Sequence, residues 1–140
     1  MFASFDISTS ALVAQRVRMN AISGNLANVS TTRNEAGQAD AYRPRFVVFQ
    51  TDNGIHGATG AVGVQVGSVE TSQQPPDYRY EPGHPDAIKE GPRRGYVAYP
   101  NIDRTAEMVN AIDASRAYEA NIGVIEVSKN LAQQALRILA

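Results

Sequence analysis

The last quarter of the chain, Asp103 to Ala140, contains no proline and one glycine, Gly123. It is rich in Ala, Leu, Ile, Glu and Gln, which favour a helix or tolerate one well. At ~1.5 Å per residue it spans roughly 57 Å as one helix. A compact domain of this length is only about 37 Å across. Such a helix overhangs its own domain. One row on it reads Met108, Ala111, Ser115, Tyr118, Ile122, Ile125, Lys129, Ala132, Leu136, Leu139. An offset row reads Ala117, Ala120, Val124, Val127, Leu131, Ala135, Ile138. Steps of three and four put each row on one face, and together they form an apolar sector wider than a two-helix seam needs. A core helix shows the same pattern, but the length requires that much of this surface be covered from outside the chain.

All seven prolines lie between Pro44 and Pro100, and nine of the eleven glycines between Gly37 and Gly95. The chain therefore divides into a helical segment (1–33), a β-rich, Gly/Pro-rich middle (34–102) and the long helix (103–140). In the first segment a helix is expected from Ser8 to about Asn28, with Ser8, Thr9 or Ser10 as N-cap. Phe5, Leu12, Met19 and Leu26 recur every seven residues, with Gln15, Ile22 and Val29 on the offset row, a narrow heptad-like seam. Asn20, Asn25 and Asn28 interrupt it. Such residues compete for backbone hydrogen bonds inside helices, so they are either exposed or terminal, or they bond across subunits and fix register. The seam supplies a partner for the long helix.

Ser30 to Gly37 is turn-prone, so the first helix stops near Val29. Tyr42 to Gln50 reads as a strand entered through Pro44, its residues alternating Arg45, Val47, Phe49 against Phe46, Val48, Gln50. Glycines at 54, 57, 60 and 63 lead into a second strand, Val64 to Glu70, with Val62, Val64 and Val66 on one face. Ser72 to Pro85 is extended and proline-rich, and Gly95 to Tyr99 is a last short strand closed by Pro100.

Composition removes several functions. The net charge is −1, with Lys and Arg scattered singly or in pairs; no basic patch points to nucleic acid or an anionic membrane. There is no cysteine, which excludes disulfides, thiol catalysis and thiolate metal sites. No apolar run is long enough to span a membrane. The start, Met1-Phe-Ala-Ser-Phe-Asp, has neither a basic n-region nor an apolar h-region, so no cleavable secretory signal is expected and the chain reads as cytosolic unless another export route exists.

Gly57-Ala-Thr-Gly-Ala-Val-Gly63 mimics a nucleotide-binding loop, but such a loop follows a buried strand and opens a helix. Here Asp52-Asn-Gly-Ile-His56 precedes it and strand-like Val64-Gln-Val66 follows, which describes a flexible hairpin. His84 and Asp86 lie in Gly83-His-Pro-Asp-Ala87. A metal needs three or four converging ligands and His56 is the only other imidazole, so this reads as a turn in which Asp86 bonds its own backbone. No nucleophile elbow or base-bearing motif accompanies the serines and acids. No catalytic, cofactor or metal residue is assigned, and no small-molecule substrate is expected.

Ile22-Ser-Gly-Asn-Leu-Ala-Asn-Val-Ser-Thr-Thr32 resembles the Asn-Leu/Ile-Ala-Asn-x-x-Thr signature of bacterial flagellar rod and hook axial proteins. Gly83-His-Pro-Asp-Ala87, Gly95-Tyr-Val-Ala-Tyr-Pro-Asn-Ile102 and Ala114-Ser-Arg-Ala-Tyr-Glu-Ala-Asn-Ile122 are similar to segments of one rod subunit of that family, in the same order and over nearly the whole chain. Two stretches depart from the pattern: Arg33-Asn-Glu-Ala36, where a glycine and an aromatic are usual, and Ile88 to Arg94.

The resemblance implies an α+β subunit whose long terminal helices pair as a coiled-coil-like axial core, with the β-rich middle projecting from it. It further implies a structural, non-enzymatic subunit of the proximal rod in the periplasm, passed unfolded through the flagellar export apparatus, with itself, other rod proteins and the membrane-ring adaptor as partners. The residues expected at the assembly interface are Leu12, Met19, Ile22, Asn25, Leu26 and Asn28 on the first helix and Tyr118, Ile122, Ile125, Leu131, Leu136 and Leu139 on the last. Two alternatives differ in class: a non-flagellar coiled-coil adaptor, which shares the seam, and a nucleotide-binding enzyme, which rests only on Gly57 to Gly63.

Overall fold

A computed structural model describes residues 2–56 and 60–139. In chain order it contains α1 (Phe2–Ala27), β1 (Arg45–His56), β2 (Val62–Thr71), β3 (Asp77–Tyr80), β4 (Tyr96–Tyr99) and α2 (Arg104–Leu139). This is the α+β arrangement of two long terminal helices around a middle of short antiparallel strands. Gly57, Ala58 and Thr59 of the glycine-rich segment lie outside the described residues.

The element at the centre is α1. It packs against α2, β1 and β2, whereas α2 packs against no named element except α1. Only one stripe of α1 faces solvent: Asp6, Thr9, Val13, Arg16, Asn20, Ser23 and Ala27, spaced by threes and fours as a single helical line. The helix starts at Phe2, ahead of the expected cap. Ser8, Thr9 and Ser10 are helix interior rather than N-cap, and Ser8 is only 5% exposed. Ser10 shows why a serine sits comfortably there. Its hydroxyl donates to the Ile7 carbonyl at 2.7 Å and accepts the Val64 amide at 3.1 Å, so it is satisfied within its own turn and also anchors a strand. At the other end the Asn28 side chain donates to the Gly24 carbonyl at 2.9 Å and accepts the Thr31 hydroxyl at 3.1 Å. The same carbonyl accepts the Asn28 amide at 3.1 Å, so Asn28 closes the last turn of the helix, which ends at Ala27.

β1 and β2 form an antiparallel hairpin, Arg45 opposite Thr71, with register shifts after Val48 and after Asp52. The expected strand Tyr42–Gln50 thus begins later and runs further. Gly67 falls in the first register shift, where the Gln50 side chain folds over it. A Cβ there would lie 2.4 Å from Gln50 Cδ. Gly63 is buried against α1, and a Cβ on it would meet Ile55 Cβ at 3.0 Å and Ser10 Oγ at 3.2 Å. The glycine-rich segment is therefore followed by a strand in close approach to a helix, rather than by a helix N-terminus receiving phosphate.

β3 and β4 form a second hairpin, Asp77 opposite Tyr99 and Tyr80 opposite Tyr96, with Val97 fully buried in it. β3 lies within the stretch read as extended. Aromatic contacts hold the lobe: Tyr80 meets Tyr96 edge-on at 5.3 Å, and Arg93 stacks over Tyr78 at 4.1 Å. The segment 88–95 is closed at its neck, where Ile88 donates to the Tyr96 carbonyl and Gly95 donates to the Ile88 carbonyl, each at 2.9 Å. Gly91 and Gly95 take positive φ, 88° and 83°, a conformation that glycine adopts without steric cost.

Two long-range junctions tie these parts to α1 and to the turn that follows it. At the first, Asp86 reaches back across the chain. It accepts the Thr32 hydroxyl on Oδ2 at 2.8 Å and Arg33 Nε on Oδ1 at 2.7 Å, with the Arg33 guanidinium also within 2.7 Å. The expected Asx turn is replaced by one centred on its neighbour, for His84 Nδ1 accepts the Asp86 amide at 3.1 Å. The Thr32 hydrogen bond, then Arg33, hold the Asp86 carboxyl below its ordinary range against the opposing effect of burial. A depressed carboxyl contributes stability above its unfolded pKa of about 3.9 and loses it as pH falls through the folded value. The gap in urea midpoint between wild type and Asp86→Asn is therefore expected to hold steady above about pH 5 and to close as pH drops below about 4. A gap that widens on acidification would contradict this assignment.

At the second junction Asn25, 2% exposed, uses both ends of its amide. Oδ1 accepts the Arg45 amide at 2.8 Å and the Tyr42 hydroxyl at 3.2 Å. Nδ2 donates to the Arg45 carbonyl at 2.8 Å and to Glu107 Oε2 at 3.4 Å. One side chain thus pairs with a strand residue as a neighbouring strand would, and joins α1, β1 and α2. Replacing it with alanine strands the donor and acceptor of Arg45, which costs about 1–3 kcal/mol per unsatisfied buried group. We expect Asn25→Ala to lose about 2–4 kcal/mol in chemical denaturation; a loss below ~0.5 kcal/mol, the scale of a neutral surface change, would remove the joint from this position.

Candidate assembly interface

α2 begins where Asp103 caps it: Oδ1 accepts the Thr105 amide at 2.8 Å and the Ala106 amide at 3.2 Å. From there it runs unbroken to Leu139, in agreement with the sequence expectation. Since Glu107 meets Asn25 and the two helices pack together, they run antiparallel. At equal rise Phe2 comes level with about residue 130 of α2, and the last turns of α2 extend past it.

The covered face of α2 alternates steps of four and three from Glu107 through Ala111, Ala114, Tyr118, Asn121 and Ile125 to Ser128, and the same line continues through Ala132 and Ala135 past the end of α1. All nine are buried or half-buried, and Ala114 has no exposed surface. A period of 3.5 is that of a coiled-coil seam, but the residues in it are mostly small or polar. They bring the backbones close and bury little apolar area. The same economy shows beyond this helix: among the described residues the buried apolar side chains are Ala14, Ile22, Val97 and Ala114.

The larger apolar residues of α2 flank the seam. On one side stand Met108, Ile122 and Leu136, exposed by 57%, 38% and 66%; on the other stand Val124, Leu131 and Ile138, exposed by 48%, 55% and 84%. Members of each row are seven or fourteen residues apart, so each row is straight along a 3.5-residue helix. Further round, Val109, Ile112 and Val127 are more than half exposed. Exposed apolar patches on this scale mark interaction surfaces.

The twelve residues expected at the interface separate into groups. Leu12, Met19, Leu26 and Asn28 are half-buried, and Ile22 and Asn25 are buried, all within the chain's own packing. Asn25 and Asn28 spend their hydrogen bonds inside the subunit. Tyr118 and Ile125 lie in the seam with α1, whereas Ile122, Leu131 and Leu136 are on the open flanks. The side chain of Leu139 lies outside the described residues. Sequence reasoning missed Glu107, Ala114, Asn121 and Ser128, four of the nine positions on this line; the signal for them is the 3.5-residue spacing itself, continued through small and polar side chains. Gly123 is the one glycine of the helix. A Cβ there meets nothing within 4 Å, so no close approach within the subunit requires it.

Other chemistry finds little support. Among the described residues no group of three or more His, Asp or Glu is placed to hold a metal ion, and no described helix is long and apolar enough to cross a membrane.

Comparison with known proteins agrees with this geometry at both ends of the chain. Residues 5–33 match the flagella basal body rod protein family, and residues 93–138 match the C-terminal family of flagellar basal body rod FlgEFG proteins. Over its whole length the chain is similar to flagellar basal-body rod proteins FlgC. It is 41% identical to that of Borreliella burgdorferi, covering 99% of this chain and 97% of the relative. It is 45% identical to that of Salmonella typhimurium over 96% and 94%, and 36% identical to that of Bacillus subtilis over 98% and 97%. The two matched segments contain α1 with its Asn25 joint and α2 with its open flanks, and the chain belongs to the FlgC family of flagellar basal-body rod proteins, structural subunits of the rod.

Proposed function

We propose that this subunit polymerises through its terminal helices into the proximal rod, the periplasmic shaft that carries torque outward from the motor. The observation that carries this reading is the open pair of apolar rows on α2. A helix of a finished monomer does not leave Leu131, Leu136 and Ile138 in water; a subunit awaiting neighbours does. The partners are further copies of itself, other rod proteins and the adaptor protein at the base of the membrane rings. Delivery is through the flagellar export apparatus. The role is mechanical rather than catalytic, and the interface consists of the flank residues supported from within by α1.

Placing a charge on a flank separates assembly from folding. Ile122→Asp and Leu136→Asp sit on exposed surface, so each is expected to change the stability of the isolated chain by no more than about 0.5 kcal/mol. In the rod the same carboxylate is buried without a partner, which is strongly destabilising. Loss of motility and of the variant from isolated basal bodies is expected, and full motility in both variants would count against the reading. Leu26→Asp is expected to fail differently, by destabilising the chain itself.

The unassembled state offers another check. The turns of α2 beyond about residue 130 have no helix beside them, and short unsupported helix is marginal in water. Circular dichroism of the dilute monomer should report fewer helical residues than the 26 of α1 and 36 of α2 together. Full helicity in the monomer would show that neighbours are not needed to order the ends.

A further inference from the structure

We infer that α2 lies between the α2 helices of two neighbouring copies of this same chain, the Met108–Ile122–Leu136 row of one copy packing on the Val124–Leu131–Ile138 row of the next. This rests on the rod reading above and specifies which faces meet.

Three observations support it. The first is the amount of surface left open. A compact monomer of 15.1 kDa exposes about 7,100 Å², whereas this chain exposes 9576 Å². The excess, about 2,500 Å², is roughly three times the ~800 Å² that one partner contributes to a standard interface. A single dimer contact leaves most of it uncovered, so the chain is built for more than one neighbour. The second is position. On a helix of 3.5 residues per turn the two rows stand about 77° to either side of the seam with α1. Both are accessible at once, and among the described residues the backbone of α2 lies close to that of α1 alone of the named elements.

The third is the fit between the rows, which selects a second copy as occupant. Copies repeated by rotation about an axis along α2 keep their helices parallel and present one row to the other at equal height. Ile122 then falls level with the interval between Ala117 and Val124 of the next copy, and Leu136 with the interval between Leu131 and Ile138. Knobs thus meet gaps. Ser115 and Lys129 hold the heptad places between the large residues of the first row, and Lys129 falls level with the interval between Val124 and Leu131, where its stem can lie along them while its ammonium reaches water. The contact is heterologous, one surface against a different one, and repeats without using up either row.

The chain contains no cysteine, so introduced thiols report directly. Leu136→Cys and Ile138→Cys are to be expressed separately and together in flagellated cells lacking the native copy, and isolated basal bodies treated with a mild oxidant. A disulfide needs Cα atoms within about 7 Å. Cross-linked dimer is expected when both variants are present and only background with either alone, because in a heterologous contact position 136 never faces its own equivalent. The pair Ile122→Cys with Val124→Cys repeats the measurement at mid-helix, so that failure of one variant to assemble leaves the other decisive. Strong dimer from Leu136→Cys alone would overturn the proposal in favour of a self-facing contact. No dimer from either mixed pair, in basal bodies that contain both variants, would also overturn it while leaving the rod reading intact. Absence of the native chain itself from basal bodies would remove the rod reading, and this inference with it.

Discussion

The rest of the structure depends on one primary amide. Asn25 offers two acceptor and two donor sites, and all four are taken by groups from three different parts of the chain. Because it pairs with both the amide and the carbonyl of Arg45, it fixes where β1 starts against α1. Because it also reaches Glu107, it fixes where α2 starts against the same turn. The hairpin then runs back along α1 until Val64 meets Ser10, and α2 runs back along another face. A hydrophobic contact in this position would hold the elements together without specifying their register. A fully satisfied polar group specifies it, since any slip leaves buried donors and acceptors unpaired.

That division of labour explains the poverty of the interior. Polar joints set register at Asn25, Ser10 and Asp86, while small side chains let α1 and α2 approach closely. Few large apolar side chains are fully buried among the described residues, and most of those on α2, Tyr118 and Ile125 excepted, are turned outward. On the assembly reading proposed above, stability within the subunit and adhesion between subunits fall to different residues of the same helix, so a flank substitution and a seam substitution are expected to produce different defects.

Much of this was legible in the sequence, and the exceptions have physical causes. The bounds of α2 followed from the missing prolines and the helix-favouring composition, and the glycine-rich segment was identified as part of a hairpin from the strand that follows it. The start of α1 was misplaced because Ser8 and Ser10 look like caps. A serine whose hydroxyl is satisfied one turn back is invisible to a capping rule. Asp86 was assigned a local turn because Thr32 and Arg33 lie more than fifty residues away in sequence, and no local rule reaches so far. The face of α2 that meets α1 was only half recognised. A search for greasy positions finds Tyr118 and Ile125 but passes over Ala114, Asn121 and Ser128, and it merges the seam with the flanks into one broad apolar sector.

The outward placement of Leu131, Leu136 and Ile138 has a consequence for any row of such subunits. A copy inside the row has both flanks sheltered from water, whereas a copy at either end has one flank wet. Identical chains therefore differ in how firmly they are held according to where they stand. The terminal copy is the first to be lost, and the next arrival consolidates the one before it. Permanence is a property of the row, conferred on each member by its successor.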